Sequence, residues 1–128
     1  MKRFVFILLL LISTDGWAEW TRVGGDDEIA TYADLGTKRR RGNMVKMWVL
    51  FNYKTAQQAD AGMPSYLSMI AQNEYDCDEE RYRNLYFSMY SENMGGGRVV
   101  ASNSEPTNWT PISPTFVISR LWKTACKH

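Results

Sequence analysis

The sequence predicts an α+β domain: an antiparallel sheet of about six strands, with one C-terminal helix packed on a face and tied to it by a disulfide. Three observations predict it. Apolar and aromatic segments separated by Gly-, Asp- and Asn-rich turns fill the first two thirds of the chain. The apolar spacing changes to that of a helix after Pro114. Two cysteines, Cys77 and Cys126, stand at the end of a predicted strand and in the last turn of that helix.

Taken in order, Trp20 to Val23 reads as a short leading strand and Gly24-Gly25-Asp26-Asp27 as a turn. Glu28 to Ala33 alternates as a strand does, and Asp34 to Asn43 reads as a polar connection. The basic run Lys38-Arg39-Arg40-Arg41, set before Gly42-Asn43, is expected to be an exposed hairpin turn. Met44 to Tyr53 (MVKMWVLFNY) is the clearest strand. It is apolar on both faces near Trp48 to Phe51, the pattern of a central strand covered on both sides.

Thr55 to Pro64 reads as a loop, Ser65 to Tyr75 as the next strand, and Asp76 to Glu80 as an acidic turn holding Cys77. Arg81 to Tyr90 fits a further strand with imperfect alternation, in which Tyr82, Leu85 and Phe87 point inward. Asn93 to Gly97 is a turn whose glycines supply positive φ. Arg98 to Ala101 pairs back, and Ser102 to Trp109 is a loop. Ser113 is expected to cap the helix, with Pro114 at its first position. Val117, Ile118, Leu121, Trp122 and Ala125 form its apolar stripe.

The N-terminus reads as a secretory leader. Lys2 and Arg3 precede the apolar run Phe4 to Ile12, and Gly16-Trp17-Ala18 offers a small-residue cleavage site. The domain division is therefore a cleaved signal peptide over 1–18 and one domain over 19–128. Nine apolar residues are too few for a permanent span, which needs about 20. Glu19 occupies the position where a lipid-anchored bacterial protein needs cysteine. The expected location is the periplasm or the exterior, with no lipid anchor and no membrane span after cleavage.

Cleavage removes Lys2, Arg3 and Asp15, leaving 13 basic and 13 acidic residues. A balanced chain carries no long-range field for nucleic acid. In an oxidising compartment the even cysteine count argues for a Cys77–Cys126 disulfide over a metal or redox pair, there being no Cys-x-x-Cys. Closing a loop of about 50 residues contributes roughly 4 kcal/mol on the chain-entropy model.

Catalytic chemistry is not predicted. The one histidine, His128, is the last residue, so a nucleophile has no base from that side chain. The Asp76, Asp78, Glu79, Glu80 cluster lacks the spacing of a calcium loop, and Gly95-Gly96-Gly97 lacks the Lys-Ser or Lys-Thr of a phosphate loop. No cofactor and no metal is expected. Trp48 and Trp122 read as core. Trp109 has two readings, a surface anchor for a partner or a side chain packed under the helix. With Arg39, Arg40 and Arg41 it forms the candidate binding surface.

An ordered set of residues resembles the bacterial surface-adhesin protein E family. It comprises Trp20, Tyr32-Ala33-Asp34, Met47-Trp48-Val49-Leu50, Tyr66-Leu67-Ser68 and Glu74-Tyr75-Asp76-Cys77. Tyr90 with Met94-Gly95-Gly96-Gly97-Arg98-Val99-Val100 follows, then Trp109 with Pro111, Leu121-Trp122 and Cys126. The resemblance covers nearly all of 19–126. It implies a six-stranded antiparallel sheet, a disulfide-tied C-terminal helix, a secreted or envelope protein, a protein partner outside the cell or in the envelope, and room for a homodimer. The competing function is a periplasmic small-ligand carrier with a pocket between helix and sheet, or an envelope protein with no adhesive role.

Overall fold

The computed structural model describes residues 18–127. Residues 1–17 of the predicted 1–18 leader lie outside the described residues, as does His128. Six strands follow one another: β1 (Thr21–Gly25), β2 (Ile29–Arg41), β3 (Met44–Gln57), β4 (Tyr66–Asp76), β5 (Arg81–Tyr90) and β6 (Val99–Asn103). Each pairs antiparallel with the next, so the spatial order is the chain order. Helix α1 (Val117–Cys126) then crosses one face. The predicted α+β sheet-and-helix architecture is the one observed.

Strand β3 lies at the centre because its sequence demands cover on both sides. Val49 and Leu50 are consecutive, so they point to opposite faces, and both are 0% exposed. Under the helix, Ala33, Val45, Met47, Val49, Ala71 and Tyr75 meet Leu121 and Ala125 of α1. Burying a leucine such as Leu121 fully is worth about 1.5–3 kcal/mol. A lone sheet could not hide this face, so the helix is part of the core rather than an appendage. Burial pushes the Tyr75 hydroxyl up, with a hydrogen bond donated by Asn73 Nδ2 at 3.1 Å partly offsetting it.

The helix ties down at its last turn. Cys77 and Cys126 are disulfide-bonded, with Cα atoms 5.6 Å apart. Beside them the Trp122 indole N–H donates to the carbonyl of Asp76 at 2.9 Å. At the other end α1 lies close to β1, where Gly24 makes room: a Cβ there would sit 3.1 Å from both Val117 and Arg120.

Several expectations need correction. Asp34 to Asn43 is not a connection, since β2 runs on to Arg41 and only Gly42-Asn43 turns. The turn-forming residues do form a turn, but inside the strand. The Asp34 carboxylate accepts the Gly36 N–H, and the Thr37 hydroxyl donates to the Asp34 carbonyl while accepting the Trp48 N–H. The ladder breaks after Asp34↔Trp48 and resumes at Arg39↔Lys46, a wide bulge rather than a strand end. Likewise β3 continues to Gln57, beyond the expected Tyr53.

A second bulge explains the imperfect alternation of β5. Gln72 pairs with Tyr86 and Asn73 with Asn84, leaving Leu85 as the extra residue. Tyr82 and Phe87 pack against the core as expected, and Leu85 is not among the residues that do.

The helix begins at Val117, with Phe116 at the cap and no side-chain cap bond. Ser113 therefore does not cap it. Its carbonyl accepts the Phe116 N–H in a separate turn, and its hydroxyl meets that of Thr115.

A two-residue strand, β7 (Thr110–Pro111), was not anticipated. It pairs with Arg81 and Tyr82, while β6 pairs with the other half of β5. Between them the Thr107 N–H donates to the Asn84 carbonyl and its hydroxyl accepts the Asn84 N–H. The chain from Val99 to Pro111 is thus one interrupted strand along the β5 edge.

Candidate functional site

Strand alternation divides the basic run between the two faces of the sheet. Lys38 and Arg40 reach the helix. Lys38 Nζ donates to the carbonyls of Thr124 (3.0 Å) and Lys127 (2.9 Å), and Arg40 Nη2 donates to that of Cys126 (3.1 Å). The last turn of a helix leaves carbonyls without partners and carries partial negative charge, so two cations there are favourable. The Arg40 guanidinium also lies 3.9 Å from Cys77 Sγ. Arg40 is therefore committed to the fold.

Arg39 and Arg41 belong to the opposite face, where pairing across β2, β3, β4 and β5 sets residues in rows. One row is Arg41, Met44, Asp76 and Arg81. The next is Arg39, Lys46, Glu74 and Arg83, and a third is Asp34, Trp48, Gln72 and Tyr86. The acids of these rows are buried and the cations are not. Asp76 is 2% exposed and accepts from Arg81 Nε at 2.9 Å; Glu74 is 8% exposed and meets Arg83 Nε at 2.9 Å and Nη2 at 2.8 Å. Arg39 and Lys46 stand exposed and directly opposite each other.

Burial alone would raise Asp76. The hydrogen bond from Arg81, the backbone N–H groups of Glu79 and Asp78, and the Arg81 charge outweigh it and hold this carboxyl below its ordinary value. The same hydrogen bonds fold the acidic turn around Asp76, as a carboxylate does in an Asx turn.

Trp109 does not pack under the helix. It is half-buried, and the guanidiniums of Arg81 and Arg83 lie 4.6 and 4.7 Å from its ring centroid. Pairing of β7 and Thr107 with β5 carries it there. Trp48 is half-buried on this same face, edge-on to Tyr86 with ring centroids 5.6 Å apart. It is not in the core cluster under the helix, whereas Trp122 packs against that cluster.

The far end of this face is covered by the segment after β5. A 3-10 turn at Asn93–Gly95 folds back on β3 and β4. The Ser68 hydroxyl donates to the Glu92 carbonyl and accepts the Gly95 N–H, and Asn52 Oδ1 accepts the Met94 N–H at 2.8 Å. Gly95 and Gly97 have positive φ, as the turn was expected to require, and Met94 does too. The rows from Trp48 to Arg81 remain open beside this cover.

The sequence profile of the surface-adhesin protein E family matches residues 20–127. The chain belongs to this family. The match runs from Trp20, just before β1, to the residue after α1, so the sheet, helix and disulfide together make up the adhesin E domain.

Solved structures agree on the fold. Crystal form II of Haemophilus influenzae protein E is similar with a TM-score of 0.66 and 14% identity, over 88% of this chain and 91% of that one. A second protein E structure gives 0.63 and 14%, over 88% and 87%. Protein E from non-typeable Haemophilus influenzae gives 0.58 and 14%, over 84% and 75%. No curated protein sequence matches.

Of the four candidate surface residues, Arg39, Arg41 and Trp109 fall on one face of the adhesin E sheet, and Arg40 falls on the other. Sequence reasoning passed over Arg81, Arg83, Lys46 and Tyr86 on that first face. Their signal was present: Arg81 and Arg83 alternate on one strand, opposite the alternating Glu74 and Asp76 of its neighbour. Chemically the arrangement is a row of forked cations beside aromatic rings, suited to holding an anion by contact.

Proposed function

We propose that this chain is an exported binding module that attaches to a protein partner outside the cell through the sheet face opposite its helix. Family membership supports the adhesive reading. The observation that carries the choice of face is its set of cations and rings: Arg81 and Arg83 lie over Trp109, and Arg39, Arg41 and Lys46 continue the same rows, while their acidic neighbours are buried. The helix face offers less, since its seam is filled by Leu121 and Ala125. That filled seam also argues against a carrier with a pocket between helix and sheet. Export by cleavage after Ala18 belongs to the same proposal.

The test is saturable binding of purified residues 19–128 to a panel of immobilised extracellular-matrix and plasma proteins. Binding weakened by Arg39→Ser with Trp109→Ala, and unchanged by Arg120→Ser on the helix, supports the reading. Saturable binding to no member of the panel defeats it.

A further inference from the structure

We infer that the open rows on this face form a binding surface for an acidic polysaccharide, one bearing sulfate or uronate groups. The inference rests on the reading that this face is a binding surface, and it names a ligand chemistry for it. Two independent features converge.

The first is uncompensated charge. Arg39 and Lys46 are exposed direct cross-strand partners, an arrangement that costs stability when no anion lies between them. Glu74, the neighbour of Lys46 on β4, directs Oε1 to Arg83. Arg81 and Arg83 are each anchored through Nε, which fixes their guanidinium planes. The exposed acids Asp78, Glu79 and Glu80 stand in the turn beyond the rows, and Asp78 lines the cleft on the helix side with Arg40, Trp122 and Lys123. Positive charge is thus left over at Arg39, Arg41 and Lys46, Arg83 being paired with Glu74, with strands about 4.8 Å apart and successive rows about 7 Å apart.

The second feature is aromatic. Trp48, Gln72 and Tyr86 form the row adjoining these cations, all half-buried, so each presents part of its surface. Rings of this kind take the apolar C–H faces of pyranoses, an amide takes hydroxyls, and guanidinium forks take sulfate or carboxylate.

Other polyanions fit less well. The cleft between Arg39, Arg40, Arg41, Met44, Lys46 and Glu74 is lined by charged side chains and one methionine, with none of the aromatic anchors typical of a protein hot spot.

The experiment is titration of the purified protein with heparin oligosaccharides and with chondroitin sulfate, read by calorimetry and tryptophan fluorescence. Neutral dextran and a polyglutamate peptide serve as comparison probes. Saturable binding to a sulfated probe is expected, with a change in tryptophan emission and no response to dextran. The double variant Arg39→Ser/Lys46→Ser should bind about tenfold more weakly. Arg120→Ser/Lys123→Ser, an equal charge change on the outer surface of the helix, should bind within about twofold of the parent. Both pairs are exposed, and circular dichroism checks that each variant is folded. The inference is overturned by no saturable binding to either sulfated probe, by equal weakening in both double variants, or by polyglutamate binding as tightly as heparin. Protein-partner binding that persists without polysaccharide binding would remove this inference and leave the binding-module reading standing; loss of both would remove both.

Discussion

Arg40 Nη2 donates to the carbonyl oxygen of Cys126 at 3.1 Å, joining a strand to a helix end 86 residues further along the chain. Lys38 does the same for Thr124 and Lys127. Replacing both by methionine keeps much of the apolar stem and removes the charges. The expected loss is about 1–2 kcal/mol of unfolding free energy, most of it at the helix terminus. Chemical denaturation measures the total, and amide exchange of α1 should rise before that of β3.

The disulfide and the Trp122 indole hold the same helix end. The double variant Cys77→Ser/Cys126→Ser is expected to lose about 2–4 kcal/mol and a corresponding part of its thermal midpoint. Reducing the native protein should give the same loss. A reduced protein as stable as the oxidised one would show that the remaining contacts of α1 hold it without the bond.

Asp76 sets an acid limit. Its folded-state pKa is lowered, so its stabilising contribution is complete at neutral pH. It is lost as pH falls from about 4, the ordinary carboxylate range, down through the lowered folded value. Unfolding free energy measured between pH 6 and pH 2.5 should therefore fall more steeply for the native protein than for Asp76→Asn. Parallel curves would assign the acid sensitivity to other carboxylates.

Gly95 tests the cover over the far end of the open face. Its φ is +75°, and a Cβ there would lie 2.8 Å from Ile70 Cδ1. Gly95→Ala should cost about 1–2 kcal/mol, combining a left-handed backbone with a displaced neighbour. Gly42→Ala offers a comparison, since φ is +60° there and no atom lies within 4 Å of the added carbon.

How far these features could be read in advance depended on whether the signal was local. Met44 to Phe51 announced a central strand because consecutive residues were apolar, and Val49 and Leu50 are buried on opposite faces. The second half of β2 was hidden because Asp34, Gly36 and Thr37 make a genuine turn that the flanking ladder absorbs. Ser113-Pro114 looked like a helix start because its turn is real, though it closes on Phe116 and the helix begins afterwards. The setting of Trp109 was illegible, since Arg81 and Arg83 meet it only through the pairing of β7 with β5. Alternation could have separated Lys38 and Arg40 from Arg39 and Arg41, had the run been taken as a strand.

The contact of α1 with β1 at Gly24 bears on how the molecule is built in time. Every strand pairing except that of β7 with β5 lies between chain neighbours, so the meander can zip up hairpin by hairpin as the polypeptide appears. The core beneath the helix cannot close that way, because Leu121 and Ala125 complete it and follow every strand in the chain. A chain emerging from its N-terminus therefore keeps an open, apolar sheet face until the ten residues of α1 are free to dock. Docking of α1 is thus what seals the core, and the same docking sets Cys126 beside Cys77, with their Cα atoms 5.6 Å apart.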